Sequence, residues 1–322
     1  MKAIVLNHPG GAQNLEMEER PIPKPQKGEV LVKVRAFGLN RSELMTRKGV
    51  SPNVNFPRVL GIECVGEVAE DPSGEYKFGQ KVAACMGGMG RDFDGSYQEY
   101  AVLPRSILTP FQSRLEWSVL GALPELFQTV FGSLELALNI KKNESLLIRG
   151  GSSSIGLMAA QWAKLKGCRV ISTTRNPKNQ EVLLSNGADH VLIDVGTVAE
   201  KVREFFPKGV EKALELIGTN TLGDSMLSVQ SGGLLCFTGM LSENWSISDF
   251  APMDFIPSTV GLTTFHSGSI DVDAEAFQDF IQNIEKGIVN PQISRVIPLS
   301  HIVEAHQLME SNQASGKIVV VT

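Results

Sequence analysis

The sequence predicts an α/β fold in which a doubly wound parallel sheet is inserted into a β-rich domain. Three observations lead there. A short apolar run at 145–150 passes through a turn of small residues into an amphipathic helix and then a second strand. That strand–helix alternation continues to residue 265, which is what parallel pairing requires. Both ends of the chain have a different texture, short strand-like runs punctuated by Gly, Pro and Asp.

The elements follow in order. Residues 2–7 form a short apolar run, and a Pro-rich approach at 20–28 leads into 29–37. There Val30, Val32 and Val34 alternate with Leu31, Lys33 and Arg35, a strand with two distinct faces. Residues 64–68 and 81–85 continue the pattern, and Gly87, Gly88 and Gly90 mark a loop. From 117 to 138 the spacing is helical. After the strand at 145–150, residues 155–166 place Ile155, Met158, Ala159, Trp162 and Ala163 on one helical face, and Gly167 stops the helix. A strand at 169–173, a helix at 176–185 and a strand at 190–193 come next, then strand candidates at 212–216, 233–238 and 259–265. The tail holds a helix at 274–286, a strand at 294–298, a helix at 300–311 with Ser300 as its N-cap, and a strand at 316–322. The expected division is 1–118 with 268–322 as the β-rich domain, and 119–267 as the nucleotide-type domain.

Composition narrows the function. The 322 residues carry 30 basic and 35 acidic side chains, net charge −5, which argues against nucleic acid as the main partner. No run reads as a membrane span, and the apolar N-terminus is too short for a signal peptide, so the expected location is cytoplasmic. The four cysteines, Cys64, Cys85, Cys168 and Cys236, are dispersed and read as small core residues. No ligand spacing links the five histidines, and His301 and His306 read as surface residues, so no metal site is expected.

The strongest chemical signal is Gly150, Gly151, Ser152, Ser153, Ser154, Ile155 and Gly156. A turn of small residues lets backbone N–H groups approach a pyrophosphate, and the helix N-terminus adds positive dipole. The G-x-G-x-x-G fingerprint of a Rossmann unit is imperfect, because Ser153 stands where its second glycine would be. Its setting in a β-α-β unit gives it weight. The cofactor's identity is read after the second strand. An NAD site places Asp or Glu there for the ribose 2′-hydroxyl. This chain has Thr173, Thr174, Arg175 and Lys178 instead, which suit a 2′-phosphate, so NADPH is the expected cofactor.

Several motifs resemble one family along nearly the whole chain, the zinc-independent quinone oxidoreductases of the medium-chain dehydrogenase/reductase superfamily. They are Met1-Lys-Ala-Ile-Val5, Gly28-Glu-Val-Leu-Val-Lys-Val34, Gly38-Leu-Asn-Arg-Ser-Glu-Leu44 and Leu60-Gly-Ile-Glu-Cys-Val-Gly-Glu-Val68. Gly95-Ser-Tyr-Gln-Glu-Tyr100, Ala122-Leu-Pro-Glu-Leu-Phe-Gln-Thr129, the glycine turn, Asn186-Gly-Ala-Asp-His190 and Gly316-Lys-Ile-Val319 complete the set. The resemblance implies a GroES-like β-rich domain around the Rossmann domain. Zinc-dependent relatives have Cys where this chain has Asn40, and Gly-His-Glu where it has Gly61-Ile62-Glu63. Ile62 ligates nothing and Asn40 is a poor zinc ligand.

By the same resemblance, Thr129 meets the nicotinamide amide and Asn40 faces nicotinamide and substrate. Gly218, Gly239, Phe265 and His266 border ribose and nicotinamide, and Lys317 closes the cofactor cleft. Relatives often carry Tyr near Asp194, whose carboxylate would repel a 2′-phosphate if it pointed inward and is otherwise expected to be solvated. A homodimer joined near 259–265 is implied too. Without a Lewis acid, the expected reaction is hydride transfer to an electron-poor acceptor, with Asn40 donating to the developing oxyanion and solvent supplying the proton. A quinone is the first acceptor class. The alternatives are an enoyl or alkenal double-bond reductase and a non-catalytic NADPH-binding protein.

Overall fold

A computed structural model describes residues 1–311 and 314–322. The chain divides into two compact units, Met1–Gln128 with Ile270–Thr322, and Thr129–Ser269. Residues 119–128 therefore cluster with the β-rich unit, later than the expected division at 118. The physical reason is local: a Cβ on Gly121 would stand 2.6 Å from the Ala36 side chain and 3.0 Å from Val319, so the segment lies directly on that unit's sheet.

The strands are β1 (Lys2–Leu6), β2 (Leu15–Glu19), β3 (Glu29–Gly38), β4 (Arg58–Val59), β5 (Glu63–Glu70), β6 (Lys81–Cys85), β7 (Tyr100–Pro104) and β8 (Leu108–Pro110). The second unit contains β9 (Ser145–Arg149), β10 (Arg169–Thr174), β11 (His190–Ile193), β12 (Val210–Glu215), β13 (Val229–Phe237) and β14 (Gly261–Thr264). The chain then returns to the first unit with β15 (Ile293–Pro298) and β16 (Lys317–Val321).

In the first unit, β3 is the organising strand. It pairs antiparallel with β5, β7 and β16, so the N-terminal and C-terminal thirds of the chain share one sheet. Its Val30, Val32, Val34 and Phe37 are buried, with Ile4, Leu44, Leu60, Tyr97 and Val320 in the same core. The chain leaves β3 at Gly38 and enters the helix Arg41–Arg47 with Asn40 at its N-cap. That helix is absent from the sequence expectation, because its seven residues are too short to show a period.

The second unit has strand order β11-β10-β9-β12-β13-β14, and its neighbours pair in parallel. This is the doubly wound order with its reversal between β9 and β12, the place where such sheets open a crevice at their carboxyl ends. Leu147, Ile171, Ala213 and Leu235 from four adjacent strands are buried together beneath the helices Ala199–Phe205 and Thr219–Leu227.

Four expectations need correction. The helix expected over 117–138 is Trp117–Leu120, then Pro124–Phe131, then a π-helical turn at Gly132–Ala137. Pro124 lacks the N–H that would continue the first piece and suits the start of the second. The π turn lies where Phe265 crosses Gly132 so closely that a Cβ there would meet the ring at 1.9 Å. Ser300 is not an N-cap: Leu299–His301 is a 3-10 turn and His301 precedes the helix Ile302–Glu310. His306 is fully buried rather than on the surface, with its Nε2 2.9 Å from the Tyr97 hydroxyl, and burial lowers its pKa to about 3, so it stays neutral. Asp194 is buried and ion-paired, not solvated.

Candidate active site

The first unit concentrates polar groups at the start of the helix Arg41–Arg47. Glu63 opens β5 and Lys317 opens β16, and their side chains are 0% and 2% exposed. Lys317 Nζ lies 2.7 Å from Glu63 Oε1 and also donates to Asn40 Oδ1. Asn40 Nδ2 donates to Glu63 Oε1 at 2.8 Å. An ammonium only donates, so the atom it faces must be the amide oxygen, and the orientation of Asn40 is thereby fixed. Glu63 Oε2 accepts from the Glu125 N–H at 2.8 Å, which uses its second oxygen. Asn40's other amide contacts, to Gly38 O and Glu43 Oε1, are both long at 3.4 Å.

Glu43 completes this cluster. It is buried, its Oε2 accepts from the Asn40 backbone N–H at 3.2 Å, and its Oε1 lies 3.4 Å from the Ile62 N–H. Burial, reinforced by the charge of Glu63, pushes its pKa up to about 8. It is therefore protonated at neutral pH, and the cluster holds one formal pair, Lys317 with Glu63, rather than two carboxylates against one ammonium. Cys85 donates to Glu125 Oε2 at 3.1 Å, and burial raises its thiol well above the ordinary range, so it is a packed thiol rather than a nucleophile.

In the second unit, most of the expected cofactor residues follow the carboxyl ends of the strands, while Thr129 lies on the helix Pro124–Phe131. Gly150 has φ +88°, and its N–H donates to Thr173 Oγ1 at 3.1 Å. Gly151 donates to Thr173 O at 2.9 Å, and a Cβ there would stand 1.8 Å from Ser172 Oγ. Gly156 could not carry a Cβ either, since it would meet Gly150 O at 2.6 Å. Ser153 caps the helix Ser154–Leu165 by accepting from the Gly156 N–H, leaving the N–H groups of Ser154 and Ile155 in the first turn for a ligand. Across the reversal, Gly218 has φ +128° and Gly239 packs so tightly on Leu216 that a Cβ would lie 2.3 Å from its carbonyl. Glu215 fixes that loop, accepting from the N–H groups of Ile217 at 2.7 Å and Gly218 at 3.2 Å. Ser172 Oγ and Ser242 Oγ are buried with no hydrogen-bond partner among the described residues. A glycine turn packed on the strand ends, with open N–H groups in the first turn of the helix after it, fits a dinucleotide.

Arg149, the last residue of β9, was not among the expected site residues. It is fully buried and pairs with Asp194 through Nε at 2.8 Å and Nη2 at 2.9 Å, while Nη1 reaches Asp224. It thus ties the end of β9 to the residue after β11 and to the helix Thr219–Leu227, and it pairs the Asp194 carboxylate. Arg175 and Lys178 are exposed and pair with no carboxylate among the described residues. Thr129 and Phe265 are buried, and His266 is exposed, its Nδ1 accepting from the Gly268 N–H at 3.1 Å.

Comparison with known proteins fits both halves. Residues 26–113 match the alcohol dehydrogenase GroES-like domain, and residues 154–286 match the family described as zinc-binding dehydrogenase. A quinone oxidoreductase of Lama guanicoe is 26% identical over 335 residues, covering 100% of this chain and 97% of that protein. The chain belongs to the medium-chain dehydrogenase/reductase superfamily, in its quinone oxidoreductase-like family. An acryloyl-coenzyme A reductase of Sulfurisphaera tokodaii is equally similar, 26% over 348 residues, with 99% of each chain covered. A mycobacterial protein solved in complex with NADPH superposes with a TM-score of 0.89 at 25% identity over 100% of both chains. In this chain Ile62 has no donor atom, and both Glu63 oxygens are engaged by Lys317, Asn40 and Glu125.

Two consequences are measurable. Glu43 binds a proton in the folded chain at pH values where the unfolded chain has lost it. Its contribution is complete below the ordinary value of 4.5 and disappears as pH rises through about 8. Stability of the wild type should fall by up to about 1.4 kcal/mol per pH unit across that window relative to Glu43→Gln, which lacks the titration; urea unfolding at several pH values tests this. Lys317→Met leaves Glu63 buried without a counter-charge and should cost about 3–5 kcal/mol, part of which Glu63→Gln in the same chain restores.

Proposed function

We propose that this chain is an NADPH-dependent, metal-independent oxidoreductase that passes a hydride to a quinone. The observation that carries the reading is the Lys317–Glu63–Asn40 network, which occupies the place of a metal ligand set with a fixed ammonium–carboxylate pair. A hydrogen-bonding amide polarises an acceptor oxygen far less than a metal ion does, so an acceptor that is already electron-poor is favoured. Bound at the glycine-walled crevice, reduced nicotinamide supplies the hydride, and a solvent proton completes the two-electron reduction. Gly150, Gly151 and the capped helix at Ser154 receive the pyrophosphate. Arg175 and Lys178 bind the 2′-phosphate, with Asp194 silenced by Arg149. Lys317 and Glu63 hold Asn40 so that only its long-contacted second amide hydrogen is free to turn to an acceptor oxygen.

The acryloyl-coenzyme A reductase relative, as similar as the quinone oxidoreductase, supports a second acceptor class, activated double bonds. Stopped-flow oxidation of NADPH with a panel of quinones and enones separates the two. Quinone turnover without enone turnover is expected, and the reverse result replaces the first reading with the second. The Arg175→Ala, Lys178→Ala double variant should raise KM for NADPH about tenfold or more while changing KM for NADH little. Equal use of NADH and NADPH by the wild type would sink the cofactor assignment.

The reading includes a homodimer. β14 is an edge strand with an unpaired side, and exposed Trp245, Phe250 and Met253 lie on the segment leading to it. Light scattering at micromolar concentration should give twice the chain mass; a monomer there rejects this assembly.

A further inference from the structure

Arg91 is a cation that nothing above employs. It lies in the loop of residues 86–93, which the backbone holds in one shape. Met86, Gly87, Gly88 and Gly90 have φ of 62°, 60°, 90° and 75°. The Met86 N–H donates to Ile62 O at 2.7 Å, and a Cβ on Gly90 would stand 2.6 Å from Gly61 O. The loop is therefore seated on the two residues that precede Glu63. From there Arg91 reaches the first turn of the helix Arg41–Arg47, where Nη2 donates to the Ser42 hydroxyl, two residues past Asn40.

The partner is neutral, unlike the partners of four other arginines of its unit. Arg35 pairs with Glu67 at 2.5 Å, Arg47 with Glu310 at 2.8 Å, Arg58 with Asp94 at 3.1 Å and Arg105 with Asp71 at 2.6 Å. Among the described residues no carboxylate pairs with Arg91, and its Nε is closed to water without a partner. A half-buried guanidinium that has lost hydration and gained only a hydroxyl is poorly compensated. Its planar fork matches a carboxylate, phosphate or sulfonate.

We propose that Arg91 recognises an anionic group on the acceptor, so that the preferred substrate is a quinone or enone bearing a carboxylate, phosphate or sulfonate. The inference rests on the reading that Asn40 faces the acceptor. The test compares 1,2-naphthoquinone with its 4-sulfonate as acceptors for NADPH oxidation in wild type, Arg91→Gln and Arg91→Lys. Binding of the sulfonate is measured in parallel by calorimetry. The two quinones differ in intrinsic reactivity, so the informative quantity is the ratio of their kcat/KM values in each variant divided by the wild-type ratio. Loss of two charge-assisted hydrogen bonds predicts that Arg91→Gln shifts that ratio against the sulfonate by about tenfold or more, with Arg91→Lys between it and wild type. Calorimetric affinity for the sulfonate should fall in parallel. An unchanged ratio with an unchanged affinity overturns the proposal while quinone turnover leaves the hydride-transfer reading standing. Arg91-dependent binding of the sulfonate with no turnover of any acceptor does the opposite: the anion site stands and the catalytic reading fails.

Discussion

The Lys317 ammonium lies where almost no water reaches, 2.7 Å from Glu63, whose second oxygen is held by a backbone N–H. Bringing those two groups together requires β16 to join β3 and β5 in one sheet, so the last residues of the chain must pair with the first forty. Once paired, the two charges dictate how Asn40 is turned, and burial between them and Ile62 holds Glu43 protonated. A buried ion pair is weak evidence for stability, since apolar residues of the same volume often serve as well. Its presence here is better explained by position: it fixes a polar amide beside a core built mainly of Val, Leu and Ile.

The second unit solves the same problem with different residues. Arg149 is fully buried, and three carboxylates lie around it, Asp194, Asp224 and Glu215. Two are in contact with the guanidinium, and the third, Glu215, accepts from the N–H groups of Ile217 and Gly218 and the hydroxyls of Thr221 and Ser225. The result is a set of strand ends locked to one another, on which the glycine turn can stay open without collapsing.

How much of this was legible from the chain follows from distance in sequence. The Rossmann unit is written locally: the apolar run of β9, the small-residue turn and the one-sided helix after it all lie within residues 145–165. The doubly wound parallel sheet and its strand–turn–helix unit followed from those signals. Asn40 was singled out, but its partner Lys317 is 277 positions away, and its motif pointed to closing a cofactor cleft. Nothing local marks Glu63 as that lysine's counter-ion. Arg149 ends a strand, where a basic residue normally reads as solvated, and only the pairing of β10 with β11 brings Asp194 to it. His306 shows the same limit: an i, i+5 spacing from His301 says nothing about Tyr97, which meets it from the segment ahead of β7.

On the proposed reading, a lysine–glutamate–asparagine network standing in place of a metal ligand set also constrains what chemistry remains reachable. A metal ion stabilises developing negative charge on oxygen by several kcal/mol. A neutral amide donor contributes nearer 1 kcal/mol net, and here one of its two hydrogens is already committed to Glu63. The difference, several powers of ten in rate, has to come from the acceptor. A quinone carries it in its own electron affinity, and a conjugated double bond carries part of it. An unactivated alcohol or ketone carries none. The same arithmetic gives Arg91 its significance, because a guanidinium with no carboxylate beside it can add binding energy away from the reacting atoms, and energy realised there can be used to hold an acceptor in line with the hydride.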